Sequence, residues 1–127
     1  MGEHVSKPVG PYSPIVRAGD WLIVSGQLGI VEGQLVEGGV GAQLRVAIEN
    51  LQALLATEGA ALTDVVKNTV FLCDMADFPV MNEAYLAGFG AHRPARSSIG
   101  VAALPFGAAV EIESWAYVGE ARSDGAD

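Results

Sequence analysis

Positive charge is scarce in this chain. Seven Lys and Arg stand against fifteen Asp and Glu, a formal net charge of −8 over 127 residues. That balance repels phosphate backbones and anionic lipid unless the few cations are gathered in one place, so a broad nucleic-acid-binding face is disfavoured. Cysteine is rarer still: Cys73 stands alone, which excludes a disulfide scaffold within the chain. As a nucleophile it has no histidine in its local sequence to act as base. His4 and His92 are the only histidines and lie far apart. No metal-ligand spacing recurs, so no metal is expected. Gly38-Gly39-Val40-Gly41 precedes a helical pattern but lacks the P-loop lysine and the dinucleotide spacing, and it reads as a turn. No basic N-terminal segment leads into an apolar run, and no apolar stretch is long enough to span a bilayer. Neither a signal peptide nor membrane association is expected, and the cytoplasm is the expected compartment.

What is present is apolar. Half of the residues are hydrophobic and 17% are charged, which excludes disorder of the weakly hydrophobic, highly charged kind. The length fits one domain, residues 1–127, with loose ends at about 1–8 and 119–127. Residues 13–17 and 21–27 read as strands around the turn Ala18-Gly19-Asp20. Residues 29–41 are rich in Gly and suggest a mobile loop or a second short hairpin. From 40 to 58 the period becomes helical: Leu44, Ala47, Ile48, Leu51, Leu54 and Leu55 share one face, and Gly59 is placed to stop the helix. Residues 65–73 form a strand rich in Val, Thr and Phe. Asp77 is the expected N-cap of a second helix running through Phe89. Residues 96–104 and 109–118 are the last two strands, separated by Pro105-Phe106-Gly107-Ala108.

This order gives an α+β fold with a mixed sheet. Two crossover helices imply parallel pairing among the first three main strands, with both helices on one face and the last strand antiparallel. Strand 109–118 places Val110, Ile112, Ala116 and Val118 on one side, and Glu111, Glu113, Trp115 and Tyr117 on the other. Strand 21–27 is likewise apolar on both sides. Two helices on one face leave such a sheet with an uncovered apolar patch, the mark of an interface with other chains.

Two residues stand out for chemistry. Arg96, in Arg93-Pro94-Ala95-Arg96-Ser97-Ser98, is a cation at the mouth of a strand among small residues. Its planar fork matches a small carboxylate through two hydrogen bonds, and the competing reading is a surface salt bridge. Glu111 lies in the apolar run Ala108-Ala109-Val110-Glu111-Ile112. It is there either partly buried with a raised pKa or paired, or else it is a polar residue on a solvated sheet face. Trp115 and Tyr117 on the same face argue against solvation.

Pro94-Ala95-Arg96-Ser97, Ile99, Ala102, Leu104 and then Val110-Glu111-Ile112 closely resemble the signature of the RidA (YjgF/UK114) family. Gly10-Pro11-Tyr12-Ser13, Ser25-Gly26-Gln27, Asn68-Thr69-Val70-Phe71 and the stretch from Asp77-Phe78 through Asn82 to Tyr85 resemble further family blocks in family order. The resemblance runs from about Pro8 to Val118. It implies a chorismate-mutase-like fold, a homotrimer with clefts between subunits, and no metal or organic cofactor. The implied activity is that of a 2-iminobutanoate/2-iminopropanoate deaminase, hydrolysing 2-aminoacrylate and 2-iminopropanoate to a 2-keto acid and ammonia. By the same resemblance, Arg96 binds the substrate carboxylate, Glu111 attends the water, and Tyr12, Ser25, Gly26, Asn82 and Ser98 line the pocket. The chain departs from the pattern at Ser98, where many members have Cys, and at Pro14, a frequent Gln. Residues 29–38 also lack the usual Pro-x-Thr-Gly turn.

Strand direction adds an expectation about where the site sits. Arg96 opens its strand and Glu111 lies near the start of the next, so an antiparallel pairing across the short 105–108 connection would separate them within a chain. Six to eight residues at ~3.3 Å each give about 20–26 Å, which assigns Arg96 and Glu111 of one site to different subunits. Two alternative functions share the chain's features: a non-catalytic trimeric binder or sensor of small 2-keto acids through Arg96, and an endoribonuclease or translation inhibitor. The −8 charge argues against the second.

Overall fold

The computed structural model describes residues 10–119. The ends expected to be loose lie outside the described residues, apart from Gly119, as does His4. The chain runs β1 (Ile15–Ala18), β2 (Trp21–Gln27), β3 (Ile30–Val31), β4 (Gln34–Leu35), α1 (Gly39–Ala56), β5 (Val65–Leu72), α2 (Phe78–Phe89), β6 (Ala95–Gly100) and β7 (Val110–Tyr117), with short 3₁₀ turns before β5, α2 and β7. This is an α+β fold. The five-stranded sheet has the order β1-β2-β7-β5-β6, and β3-β4 form a separate hairpin, the second of the two alternatives for the Gly-rich stretch.

The apolar stripe of α1 is buried in full: Leu44, Ala47, Ile48, Leu51, Leu54 and Leu55 join Leu22, Val24, Val65, Val70, Leu72, Val110, Ile112 and Ala116 of the sheet and Met81, Tyr85 and Phe89 of α2 in one core. Burying each such Leu or Ile contributes about 1.5–3 kcal/mol, and this stripe, more than intrinsic propensity, holds α1 in place. The chain leaves the helix through Gly59 at φ +73, a conformation that costs glycine nothing. Asn50 of α1 donates to the carbonyls of Leu28 and Ile30, both at 3.0 Å, tying the β3-β4 hairpin to the helix. The Asp77 side chain makes no cap hydrogen bond to α2. Asp74 instead accepts from the backbone N–H of Ala76 at 3.0 Å, capping the 3₁₀ turn that leads into the helix.

The topology corrects one expectation. β2, β5 and β6 do run parallel to one another, since β7 is antiparallel to both β2 and β5, and β5 pairs parallel with β6. Yet β2 and β5 share no hydrogen bonds, because β7 lies between them. Nor are β6 and β7 neighbours. β6 ends at Gly100, not at 104, and the following segment crosses the end of β5, where Val101 donates to Leu72 O at 2.8 Å and Cys73 to Ala109 O at 3.1 Å. The face away from the helices carries the expected apolar patch: Trp115 and Trp21 are 42% and 38% exposed, and Trp21 packs edge-on against both Trp115 and Tyr117.

Candidate functional site

The expected site residues fall into two groups, one on each face of the sheet. Arg96 pairs in register with Asn68 of β5 and points with it toward α2. Its guanidinium lies 4.7 Å from the centre of the Tyr85 ring and 5.6 Å from that of Phe78, and Nη1 sits 3.8 Å from Met81 Sδ. Phe78, Met81 and Tyr85 recur at helical spacing along α2, so one stripe of the helix forms the bed. Contacts with aromatic faces orient a guanidinium without using its in-plane donors; here Nη1 reaches Met81 Sδ, and Nε and Nη2 make no hydrogen bond among the described residues. Among the described residues no carboxylate lies within 4 Å of Arg96, and the one ion pair is Arg17–Glu58. Among the described residues Arg96 thus forms no surface salt bridge. Arg96, Asn82, Tyr85, Leu86, Arg93 and Pro94 line a cavity of about 320 Å³.

Beneath Arg96 runs a buried polar chain that sequence reasoning missed. Ser114 Oγ donates to Asn68 Oδ1 at 2.6 Å, and Asn68 Nδ2 donates to Tyr85 Oη at 2.9 Å. Ser114 and Asn68 are fully buried, so each bond satisfies a group that would otherwise be costly. The chain fixes the tilt of the Tyr85 ring and hence the surface on which Arg96 rests. Ser98, two residues beyond Arg96 on the same face, has a buried hydroxyl with no hydrogen-bond partner among the described residues.

The second group lies on the open face. Glu111 alternates with Val110 and Ile112, both fully buried toward the helices, so its carboxylate emerges on the other side. Burial holds its pKa above the usual 4.5, and repulsion from Glu113 adds to the rise. Gly26 lies directly against it: a Cβ there would overlap the Glu111 carboxylate. Ser25 Oγ donates to Ser13 O at 2.7 Å and its N–H donates to Pro14 O at 2.9 Å. These bonds set the segment carrying Tyr12, an exposed residue, alongside the same strand. Ser25, Gly26 and Glu111 thus lie on the open face with the Tyr12 segment beside them, and Asn82, Arg96 and Ser98 lie on the helix side.

The register changes the estimate of separation. Arg96 is level with Asn68 and Ser114, three residues from Glu111 on β7. That is ~10 Å along the strands and ~10 Å across two strand spacings, not 20–26 Å. The earlier figure assumed that β6 and β7 pair directly. What keeps the two side chains apart within one chain is that they leave opposite faces of the sheet. Among the described residues, no group of three or more His, Cys, Asp and Glu is placed to hold a metal ion, and no helix is long and apolar enough to cross a membrane.

Comparison with known proteins agrees with the resemblance. The family model described as endoribonuclease L-PSP matches residues 3–118. A RutC family protein of Pyrococcus horikoshii is 44% identical over 117 residues, 91% of this chain and 93% of that protein. The 2-iminobutanoate/2-iminopropanoate deaminase of Mus musculus is 44% identical over 113 residues, 87% of this chain and 84% of that one. The crystal structure of RidA from an Antarctic Psychrobacter superposes with a TM-score of 0.86 at 42% identity, covering 90% of this chain and 94% of that chain.

Proposed function

The chain belongs to the endoribonuclease L-PSP family, that of the YjgF and RidA proteins, and on that premise we propose that it is a cytoplasmic hydrolase of 2-enamine and 2-imine acids. Its substrates are 2-aminoacrylate, 2-iminopropanoate and their close homologues, and its products a 2-keto acid and ammonia. The observation that carries this reading is Arg96: a half-buried guanidinium, bedded on Tyr85 and Phe78, with no carboxylate partner among the described residues. The name of the Mus musculus relative supports it.

The chemistry needs no metal and no organic cofactor. Arg96 holds the substrate carboxylate with two hydrogen bonds, which fixes the imine carbon in place. Glu111, with its raised pKa, takes a proton from the attacking water as the new C–O bond forms. Glu111 passes that proton to the imine nitrogen, giving a neutral carbinolamine; it then takes the carbinolamine's hydroxyl proton and relays it to nitrogen, so that the C=O bond forms as the C–N bond breaks and ammonia leaves. Asn82, Ser98, Tyr12, Ser25 and Gly26 line the pocket. The hydroxyl of Ser98, buried and unpartnered among the described residues, is a donor available to a bound ligand.

Because the two groups of residues leave opposite faces of the sheet, a complete site takes Arg96, Asn82 and Ser98 from one copy of the chain and Tyr12, Ser25, Gly26 and Glu111 from the next. A closed trimer of chorismate-mutase-like subunits supplies one such junction per pair and covers the face bearing Trp115 and Tyr117. An assay that generates 2-aminoacrylate and follows pyruvate tests the activity. Arg96→Ala abolishes turnover, and Arg96→Lys is severely impaired because an ammonium cannot supply two parallel bonds. Binding of 2-keto acids without turnover would favour the non-catalytic binder. Mixing inactive Arg96→Ala and Glu111→Ala chains restores activity on subunit exchange if the site is shared. A mixture that exchanges subunits and stays dead refutes the shared site. An endoribonuclease role is disfavoured by the −8 charge.

A further inference from the structure

The cavity in front of Arg96 is lined by a second arginine. Arg93 lines the same space as Arg96 and Asn82, although only seven of the 127 residues are Lys or Arg. Two cations facing one small cavity repel each other, and in a chain this acidic the cheapest remedy would be a neighbouring carboxylate. None lies within 4 Å of either among the described residues, where the one ion pair is Arg17–Glu58. Arg93 is not loose, however. Its Nη1 donates to the carbonyls of Gly90 and of His92, the latter at 3.2 Å, just past the C-terminus of α2, where the helix dipole favours a cation. Those bonds engage one nitrogen, and among the described residues Nε and Nη2 have no hydrogen-bond partner and are available to a ligand. Pro94 between the two arginines stiffens the spacer by fixing its φ.

We propose that Arg93 forms a second carboxylate subsite, making 2-imino dicarboxylates of four or five carbons favoured substrates of the Arg96 site. The inference rests on the imine-hydrolase reading above and names its substrate class. Residues three apart have Cα atoms at most about 11 Å from each other. Two arginines that close can grip the ends of a short diacid, the Arg96 fork taking the carboxylate beside the imine carbon and Arg93 the distal one. Water adds to the C=N carbon as before: a 2-imino diacid plus water gives a 2-keto diacid plus ammonia, with neither redox change nor co-reactant. The reaction that supplies such a substrate is oxidation of an acidic amino acid at its α-carbon.

The test compares 2-iminosuccinate with 2-iminopropanoate, each generated in situ by an amino-acid oxidase, on the wild type and on Arg93→Met, which keeps the apolar stem. The wild type is expected to have the higher kcat/KM on the diacid. In Arg93→Met the diacid-to-monoacid ratio of kcat/KM is expected to fall about tenfold or more, the effect of losing a charge-assisted hydrogen bond. Arg93→Lys should recover part of it. A ratio within twofold of the wild type's overturns the proposal, whatever happens to the absolute rates. If the wild type hydrolyses neither imine, the hydrolase reading fails instead. Calorimetric binding of oxaloacetate against pyruvate then decides the point: an equal effect of Arg93→Met on the two ligands overturns the second subsite.

Discussion

Tyr85 carries both a hydroxyl and a ring, and the structure assigns them separate tasks that two substitutions can divide. Tyr85→Phe removes the acceptor of Asn68 Nδ2, which lies 2.9 Å away on a fully buried amide. An orphaned buried donor costs about 1–3 kcal/mol, and at about 4 °C per kcal/mol for a domain of this size the expected fall in Tm is roughly 4–12 °C. The ring stays, still packed 4.9 Å from Phe89, so Arg96 keeps its bed and kcat/KM changes little. Tyr85→Leu takes away the ring as well. An aromatic face under a guanidinium is worth about 0.5–2 kcal/mol, so kcat/KM is expected to fall about 2- to 30-fold beyond any loss in the Phe variant. The change should be mainly in KM, because Arg96 anchors the substrate and does not transfer protons. Thermal denaturation at fixed protein concentration, with imine hydrolysis well below the lower Tm, reads both effects. If Tyr85→Phe loses as much kcat/KM as Tyr85→Leu, the hydroxyl acts in the chemistry itself and the positioning argument is wrong. An unchanged Tm in the Phe variant would instead refute the energetic weight given to the Ser114–Asn68–Tyr85 chain.

Two further expectations concern the other half of the site. Gly26→Ala places a methyl group where the Glu111 carboxylate lies, so the carboxylate must swing away; a displacement of about 1 Å at a reacting group costs on the order of 100-fold in rate, and kcat should drop while circular dichroism stays native. Because the pKa of Glu111 is raised above 4.5 by burial and by Glu113, the acid limb of the kcat–pH profile should lie above 4.5, shift to lower pH in Glu113→Gln and disappear with the activity in Glu111→Gln. The same shift has a sign in stability: the folded chain holds this proton more tightly than the unfolded one, so the stabilisation from Glu111 is fully present below pH 4.5 and is lost as the pH rises through the raised value. Urea titrations of the wild type and Glu111→Gln across that range would measure it.

Helix α1 and the alternation of β7 were legible because each signal is local. The stripe from Leu44 to Leu55 has the period of a helix, and Val110, Ile112 and Ala116 have the period of a strand. The order of the strands is a different kind of fact. Two segments joined by a few residues pair with each other unless another arrangement buries more, and here another arrangement does. β7 is apolar on the core face and carries Trp115 and Tyr117 on the other, so it gains most from a central position. β6, with Arg96, Ser97, Ser98 and Gly100, is polar and half-exposed along its length, which suits a sheet edge that has to resist further pairing. Apolar residues on both faces were readable at β7 and point to a central position; with the polar β6 at an edge, β5 lies between them.

The site shows the same division between local and non-local information. The resemblance named Arg96 and Glu111, but parity along one strand says nothing about parity along another until a register joins them. That register runs through Asn68, which is level with Arg96 on one side and with Ser114 on the other. Given those two pairings, alternation along β7 places Glu111 on the face opposite Ser114 and therefore opposite Arg96. The bed under Arg96 was hidden for another reason. Phe78, Met81 and Tyr85 are spaced like any core-facing stripe of a helix, and nothing in the spacing says that the group packed on them is a cation. Only the edge position of β6 does. A central strand would have been covered by aliphatic side chains from both helices, whereas an edge strand leaves the end of the α2 stripe open. A guanidinium laid there rests against the Tyr85 and Phe78 rings and Met81 Sδ while still lining the cavity. The nearest strand carboxylates do not reach it either: Glu111 and Glu113 of β7 leave the face of the sheet opposite Arg96, and among the described residues Arg96 has no carboxylate partner.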